Sequence, residues 1–154
     1  MSDTVQPELI ELARRIAASH GIDPQLVCAV IEQESAWNPW AVRYEPGFLS
    51  RYIAPLYTAG KFSATEAYTR AMSWGLMQVM GQVAREFGLK EASLAELCDP
   101  VTGMDYGCKI LATRLARSKG DVAAALQAWN GGANANYAAE VLARIRNYSS
   151  KPVV

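Results

Sequence analysis

Apolar positions recur along this chain at helical spacing almost throughout. Leu9, Leu12, Ala13 and Ile16 form one stripe over Pro7 to Ser19, and His20-Gly21 ends it, with His20 at the negative end of the helix dipole. Asp23-Pro24 opens a second helix: Asp caps free amides, and Pro gives up an N–H that has no partner in the first turn. Leu26, Val27, Val30 and Ile31 follow at roughly 100° per residue. Glu34 falls near the middle of their face, Glu32 on the opposite side, and Asn38-Pro39 is the predicted stop.

Trp40 to Gly60 has no clear period and is broken by Pro46, Gly47, Pro55 and Gly60. It reads as a long loop with a short helical piece around Leu49 to Tyr57, of the kind more often functional than idle. Its Tyr44, Phe48, Tyr52 and Tyr57 are expected mostly as core, with stacking on sugar rings as the alternative. Ser63-Ala-Thr-Glu66 and Ser93-Leu-Ala-Glu96 are capping boxes, the first opening a helix to about Met72. A further helix runs from about Gly81 to Phe87 and closes at Gly88. Val101, Met104, Cys108, Leu111 and Leu115 mark a central helix from Pro100 to near Lys119-Gly120. Asp121 caps the next, with Val122, Leu126 and Trp129 on its face, stopped at Asn130-Gly-Gly132. The last runs from about Ala135 to Asn147 with Tyr137, Val141, Ile145 and Tyr148 inward; Ser149 to Val154 is an expected frayed tail. With no strand alternation and no repeats, the predicted class is all-α, with little or no β-structure.

A chain of 154 residues is predicted to form one domain, spanning 1–154, with its working core at about 22–148. Fifteen basic residues balance fifteen acidic ones, which excludes the charge signature of a nucleic-acid binder. No apolar run reaches membrane-spanning length, so no stable membrane insertion is expected, and a monomer is. The first residues, Met-Ser-Asp-Thr-Val-Gln-Pro-Glu, lack the basic and apolar regions of a signal peptide. Three cysteines leave at least one thiol free. A Cys98–Cys108 bridge is not expected, because the intervening helix carries Cys108 roughly 12 Å along its axis and a bridge needs Cα atoms within about 7 Å. Three scattered Cys and one His match no metal-ligand spacing, so neither metal nor cofactor is expected.

The candidate chemistry starts at Glu34. A carboxylate where a core leucine belongs is costly without a cationic partner, and the usual relief is retention of its proton. A carboxyl group protonated near neutral pH is what a general acid needs. A structural Glu turned to solvent or paired with Arg is the alternative, and for an isolated Glu the preferred one. Two further segments change the balance: Ser73-Trp-Gly-Leu-Met-Gln78, and Ala128-Trp-Asn-Gly-Gly132 followed by Tyr137.

With Glu34-Ser-Ala-Trp-Asn-Pro39, these segments resemble in order and spacing the catalytic domain of soluble lytic transglycosylases, the lysozyme-like family that includes goose-type lysozymes. The resemblance covers about Pro24 to Val141. It implies a lysozyme-like helical domain with a groove between helices, and peptidoglycan glycan strands as partner, cut between N-acetylmuramic acid and N-acetylglucosamine. Glu34 matches the catalytic acid, and Ser35 and Asn38 the residues shaping the end of its helix. Ser73, Gly75, Leu76, Met77 and Gln78 fall in the block lining the glycan groove, where Gln78 would hydrogen-bond the sugar. Trp129, Asn130 and Gly131 match the third block, and Tyr137 the tyrosine near the acid. Trp129 stands where many members have Tyr. A phenol hydroxyl is lost there, and with it the hydrogen bond it would give to the acid or an N-acetyl group, while stacking remains.

The resemblance implies that protonated Glu34 protonates the glycosidic oxygen and, as carboxylate, takes the proton of the muramoyl 6-hydroxyl as a 1,6-anhydro ring closes. Such an internal nucleophile has an effective concentration of order 10⁵–10⁸ M in well-oriented cases, so one carboxylate suffices. Hydrolysis wants a second carboxylate, about 6.5–9.5 Å away in an inverting enzyme. Met80 stands where goose-type lysozymes are acidic; Glu45 is the remaining candidate, with pairing to Arg43 or Arg51 the preferred reading of it. The expected function is thus a lytic transglycosylase, with a hydrolytic muramidase using Glu45 or water as the alternative. A helical module that binds glycan or a partner without turnover is the alternative of another class. The missing signal peptide predicts synthesis in the cytoplasm and action at the periplasm or cell wall, by phage holin-type release or as an excised domain.

Overall fold

The structure, a computed structural model, describes residues 7–149. The expectations placed on the first six residues and on 150–154 lie outside the described residues. By backbone contacts the chain forms two compact units, one from residues 1–37 and 108–154 and the other from 38–107.

The first unit opens with α1 (Pro7–Ser19) and α2 (Pro24–Ser35). Ala13 and Ala17, both wholly buried and one turn apart, leave room for α1 to pack closely on α2. The cap is as expected: the Asp23 carboxylate accepts from Gln25 N–H at 2.9 Å. Six successive residues, Leu26 to Ile31, are buried, so α2 is enclosed on every side and not only along the predicted stripe. The helix ends at Ser35, earlier than the Asn38-Pro39 stop. Ala36 and Trp37 both take left-handed backbone angles, φ 49° and 66°, and Ala36 N–H closes the turn on the Glu32 carbonyl. Non-glycine residues pay for that conformation in strain. Trp37 is only 6% exposed, and its indole N–H donates to Tyr148 Oη at 2.8 Å, an anchor that offsets the strain.

In the second unit, β1 (Val42–Tyr44), β2 (Met72–Trp74) and β3 (Val79–Met80) form an antiparallel sheet in that order, with Arg43 opposite Ser73 and Ser73 opposite Met80. These strands are two or three residues long, too short for alternation to register. The expected helical piece around Leu49 to Tyr57 is present and begins earlier: α3 (Pro46–Phe48), a π-helical turn (Leu49–Ile53) and α4 (Ala54–Thr58) run on without a break. Pro46 occupies a first-turn position where an N–H is dispensable, so it starts helix instead of breaking it. The anchor is Ile53, which with Ala67 and Ala71 forms a small core under Phe48, Leu49 and Phe62. Tyr44, Tyr52 and Tyr57 are exposed, contrary to the core expectation.

Next come α5 (Ala64–Arg70), capped by Ser63 Oγ on Glu66 N–H, and α6 (Gly81–Glu86). The Glu66 carboxylate does not complete the capping box. It accepts from Arg85 Nε at 2.7 Å and Arg70 Nε at 2.8 Å, joining α5 to α6. A 3₁₀ turn (Leu94–Cys98) leads into α7 (Pro100–Arg117), along which the chain returns to the first unit. There α8 (Val122–Asn130), capped by Asp121, and α9 (Tyr137–Arg144) follow, the latter continued by a 3₁₀ turn (Ile145–Asn147). The result is a mostly helical architecture with one small sheet. No helix among the described residues is long and apolar enough to cross a membrane. Cys28, Cys98 and Cys108 are buried and in no disulfide among the described residues, and burial pushes the Cys28 thiol up to about 11, so it remains neutral.

Candidate active site

Glu34 sits in the last turn of α2 and is half-buried rather than sealed in the core. Two neutral donors from the same unit converge on one of its oxygens. Tyr137 Oη donates to Oε1 at 2.5 Å, and Trp129 Nε1 donates to the same oxygen at 3.1 Å. Tyr137 opens α9 and Trp129 lies in the last turn of α8, so three separate helices meet at one carboxyl group. Unpartnered burial is therefore not what distinguishes this acid. Neutral donors satisfy Oε1 without fixing the negative charge as strongly as a cation would.

Tyr137 is 3% exposed. Burial first, then the charge of Glu34 and the hydrogen bond to it, push the phenol far above its ordinary range, so it acts as a neutral donor. The Tyr-to-Trp departure at 129 does not cost the hydrogen bond: the indole N–H supplies what a phenol would have supplied. Oε1 thus receives one O–H and one N–H donor, from two different helices.

Ser35 Oγ donates back to the Ile31 carbonyl at 3.1 Å, at the end of α2. Asn130 is a turn-former. In the amide orientation that satisfies both its groups, its oxygen accepts from Ala133 N–H at 3.2 Å and Asn134 N–H at 2.7 Å, closing the loop through Gly131-Gly132.

The Ser73–Gln78 block belongs to the second unit and is a hairpin: β2, the turn Gly75-Leu-Met-Gln78, then β3. Gly75 is required there, with φ 70° and a would-be Cβ only 2.3 Å from the Leu97 carbonyl oxygen. Gln78 staples the turn: its Nε2 donates to Ala41 O at 2.9 Å and Gly75 O at 3.0 Å, which leaves Oε1 for an outside donor. Met77 is wholly buried, filling the space beside Gly107, and Ser73 is 3% exposed. Neither presents a surface to ligand, which corrects the groove-lining role expected for them. Glu45 pairs with Arg43 at 2.5 Å, one of the two arginines preferred as its partner. Glu32, on the opposite side of α2, accepts from Arg144, Asn147 and Tyr148, residues too distant in the chain for any local signal to reveal.

A mostly helical architecture thus holds the Glu34 carboxyl group between a buried phenol and an indole, and the class it falls in is that of the lysozyme-like transglycosylase domains. A family model, Transglycosylase SLT domain, matches residues 11–149, and the chain belongs to that family. It is similar to the membrane-bound lytic murein transglycosylase C of Actinobacillus pleuropneumoniae serotype 5b (strain L20) and of serotype 3 (strain JL03). Each is 37% identical over 54 residues, which is 35% of this chain and 14% of the relative. The match thus spans about a seventh of the length of these relatives. No solved structure matches.

Proposed function

We propose that this domain cleaves the β-1,4 bond between N-acetylmuramic acid and N-acetylglucosamine in peptidoglycan by transglycosylation, with Glu34 as acid and then base. The observation behind this is the pair of neutral donors on Oε1 of Glu34, from Tyr137 and Trp129. They orient the carboxyl group, which gives up its proton in the first step. That proton goes to the glycosidic oxygen as the bond to the muramoyl anomeric carbon breaks. The muramoyl 6-hydroxyl oxygen then bonds to that carbon, its proton returns to Glu34, and the 1,6-anhydro ring closes. Tyr137 and Trp129 stabilise the carboxylate between the two transfers, and the buried phenol keeps its own proton throughout.

The pairing of Glu45 with Arg43 supports transglycosylation over a hydrolytic mechanism that would use Glu45 as water-holding base. The site of action is the cell wall. The family membership and the similarity to lytic murein transglycosylases support the substrate class. Replacing Glu34 by Gln should stop release of muropeptides from purified sacculi while leaving the thermal transition in place. Release by Glu34→Gln at the wild-type rate would refute the assignment.

A further inference from the structure

Glu34 is the last of three successive residues in α2 that each reach the C-terminal helix. Glu32 Oε1 accepts from Arg144 Nη1 at 2.6 Å, and its Oε2 from Tyr148 Oη at 2.6 Å. Gln33 lies between them and uses both ends of its amide: Nε2 donates to Glu140 Oε2 at 2.8 Å, and Oε1 accepts from Arg144 Nε at 2.7 Å. Glu34 then accepts from Tyr137. On α9 the contacted residues Tyr137, Glu140 and Arg144 are three and four apart, one stripe of the helix facing the end of α2. Glu140 also accepts from Asn134 Nδ2 at 3.0 Å, and Asn134 caps Asn136 N–H and accepts from Tyr137 N–H. The approach to Tyr137 is thereby fixed from the same carboxylate.

We infer that Gln33 is a positioning residue: clamped between Glu140 and Arg144, its amide sets the register of α9 on α2 and so seats the Tyr137 hydroxyl on Glu34. An amide suits this position because one group must donate to a carboxylate while the other accepts from a guanidinium. A slide of α9 by one residue would move the hydroxyl about 1.5 Å along its axis. Displacements of that order at a reacting group can cost about a hundredfold in rate. The inference rests on Glu34 being the acid, and the two fail in different ways.

The test is a double-mutant cycle on muropeptide release, with thermal transitions recorded for every variant. Gln33→Ala should lower kcat about tenfold with KM within about twofold, and should lose little more in a Tyr137→Phe background, because the contact it seats is already gone. Glu140→Gln, which keeps an oxygen acceptor for Gln33, should lose less than Glu140→Ala. Losses from Gln33→Ala and Tyr137→Phe that multiply, or a Gln33→Ala change confined to the thermal transition, would overturn the proposal. A Glu34→Gln variant with full activity would remove the acid itself, and the positioning role with it.

Discussion

The Tyr137 hydroxyl meets Glu34 Oε1 at 2.5 Å across 103 positions of sequence, donated by a phenol that burial keeps neutral. That contact ties the start of α9 to the end of α2. Removing it with Tyr137→Phe leaves the ring to pack and takes away only the donor. We expect kcat for muropeptide release to fall about 100-fold, the lower end of the range for one donor to a charge that develops during reaction. An unchanged kcat in Tyr137→Phe would show that the contact is incidental.

Trp129 supplies the second donor through its indole N–H. Trp129→Phe keeps an aromatic ring without the donor and should lower kcat about three- to tenfold. Trp129→Tyr should recover part of the loss if its hydroxyl reaches Oε1. Comparing the two variants at saturating substrate separates hydrogen bonding from stacking, because a lost stacking contact raises KM in both alike.

Glu66 ties the second unit together and offers a stability test. Hydrogen bonds from Arg85 lead the causes that hold its carboxyl below the ordinary value, with Arg70 adding to them against the opposing effect of burial. A carboxylate depressed in the folded state stabilises the fold above its unfolded value and loses that contribution as pH falls through the folded one. Glu66→Gln should therefore destabilise the protein by about 2–4 kcal/mol near pH 7. The gap to wild type should narrow as pH falls below about 4. Urea denaturation at both pH values measures this; an equal gap at each would show that charge is not the cause.

Much of this was legible in sequence, for reasons that differ by element. Asp23-Pro24, Ser63 and Asp121 start helices where expected, because capping is local chemistry between residues two or three apart. The order of the Glu34, Ser73–Gln78 and Trp129–Tyr137 segments singled out the pair that meets Glu34. Pro46 hid the start of its helix because proline both breaks helices and begins them, and nothing local decides between these roles. Two- and three-residue strands carry no readable period. Met77 was placed in a groove because nothing local records that Gly107, thirty residues on, leaves the space it fills. The hydrogen bonds from Gln33 and Glu32 to α9 join residues more than a hundred positions apart, beyond any periodicity.

Mass spectrometry of the glycan ends released from purified peptidoglycan tests the central claim most directly. The account predicts muramoyl termini lighter by one water than a reducing sugar, as 1,6-anhydro rings, and their disappearance with Glu34→Gln. Reducing muramoyl ends from the wild-type protein, or anhydro ends that persist without the Glu34 carboxyl group, would contradict it.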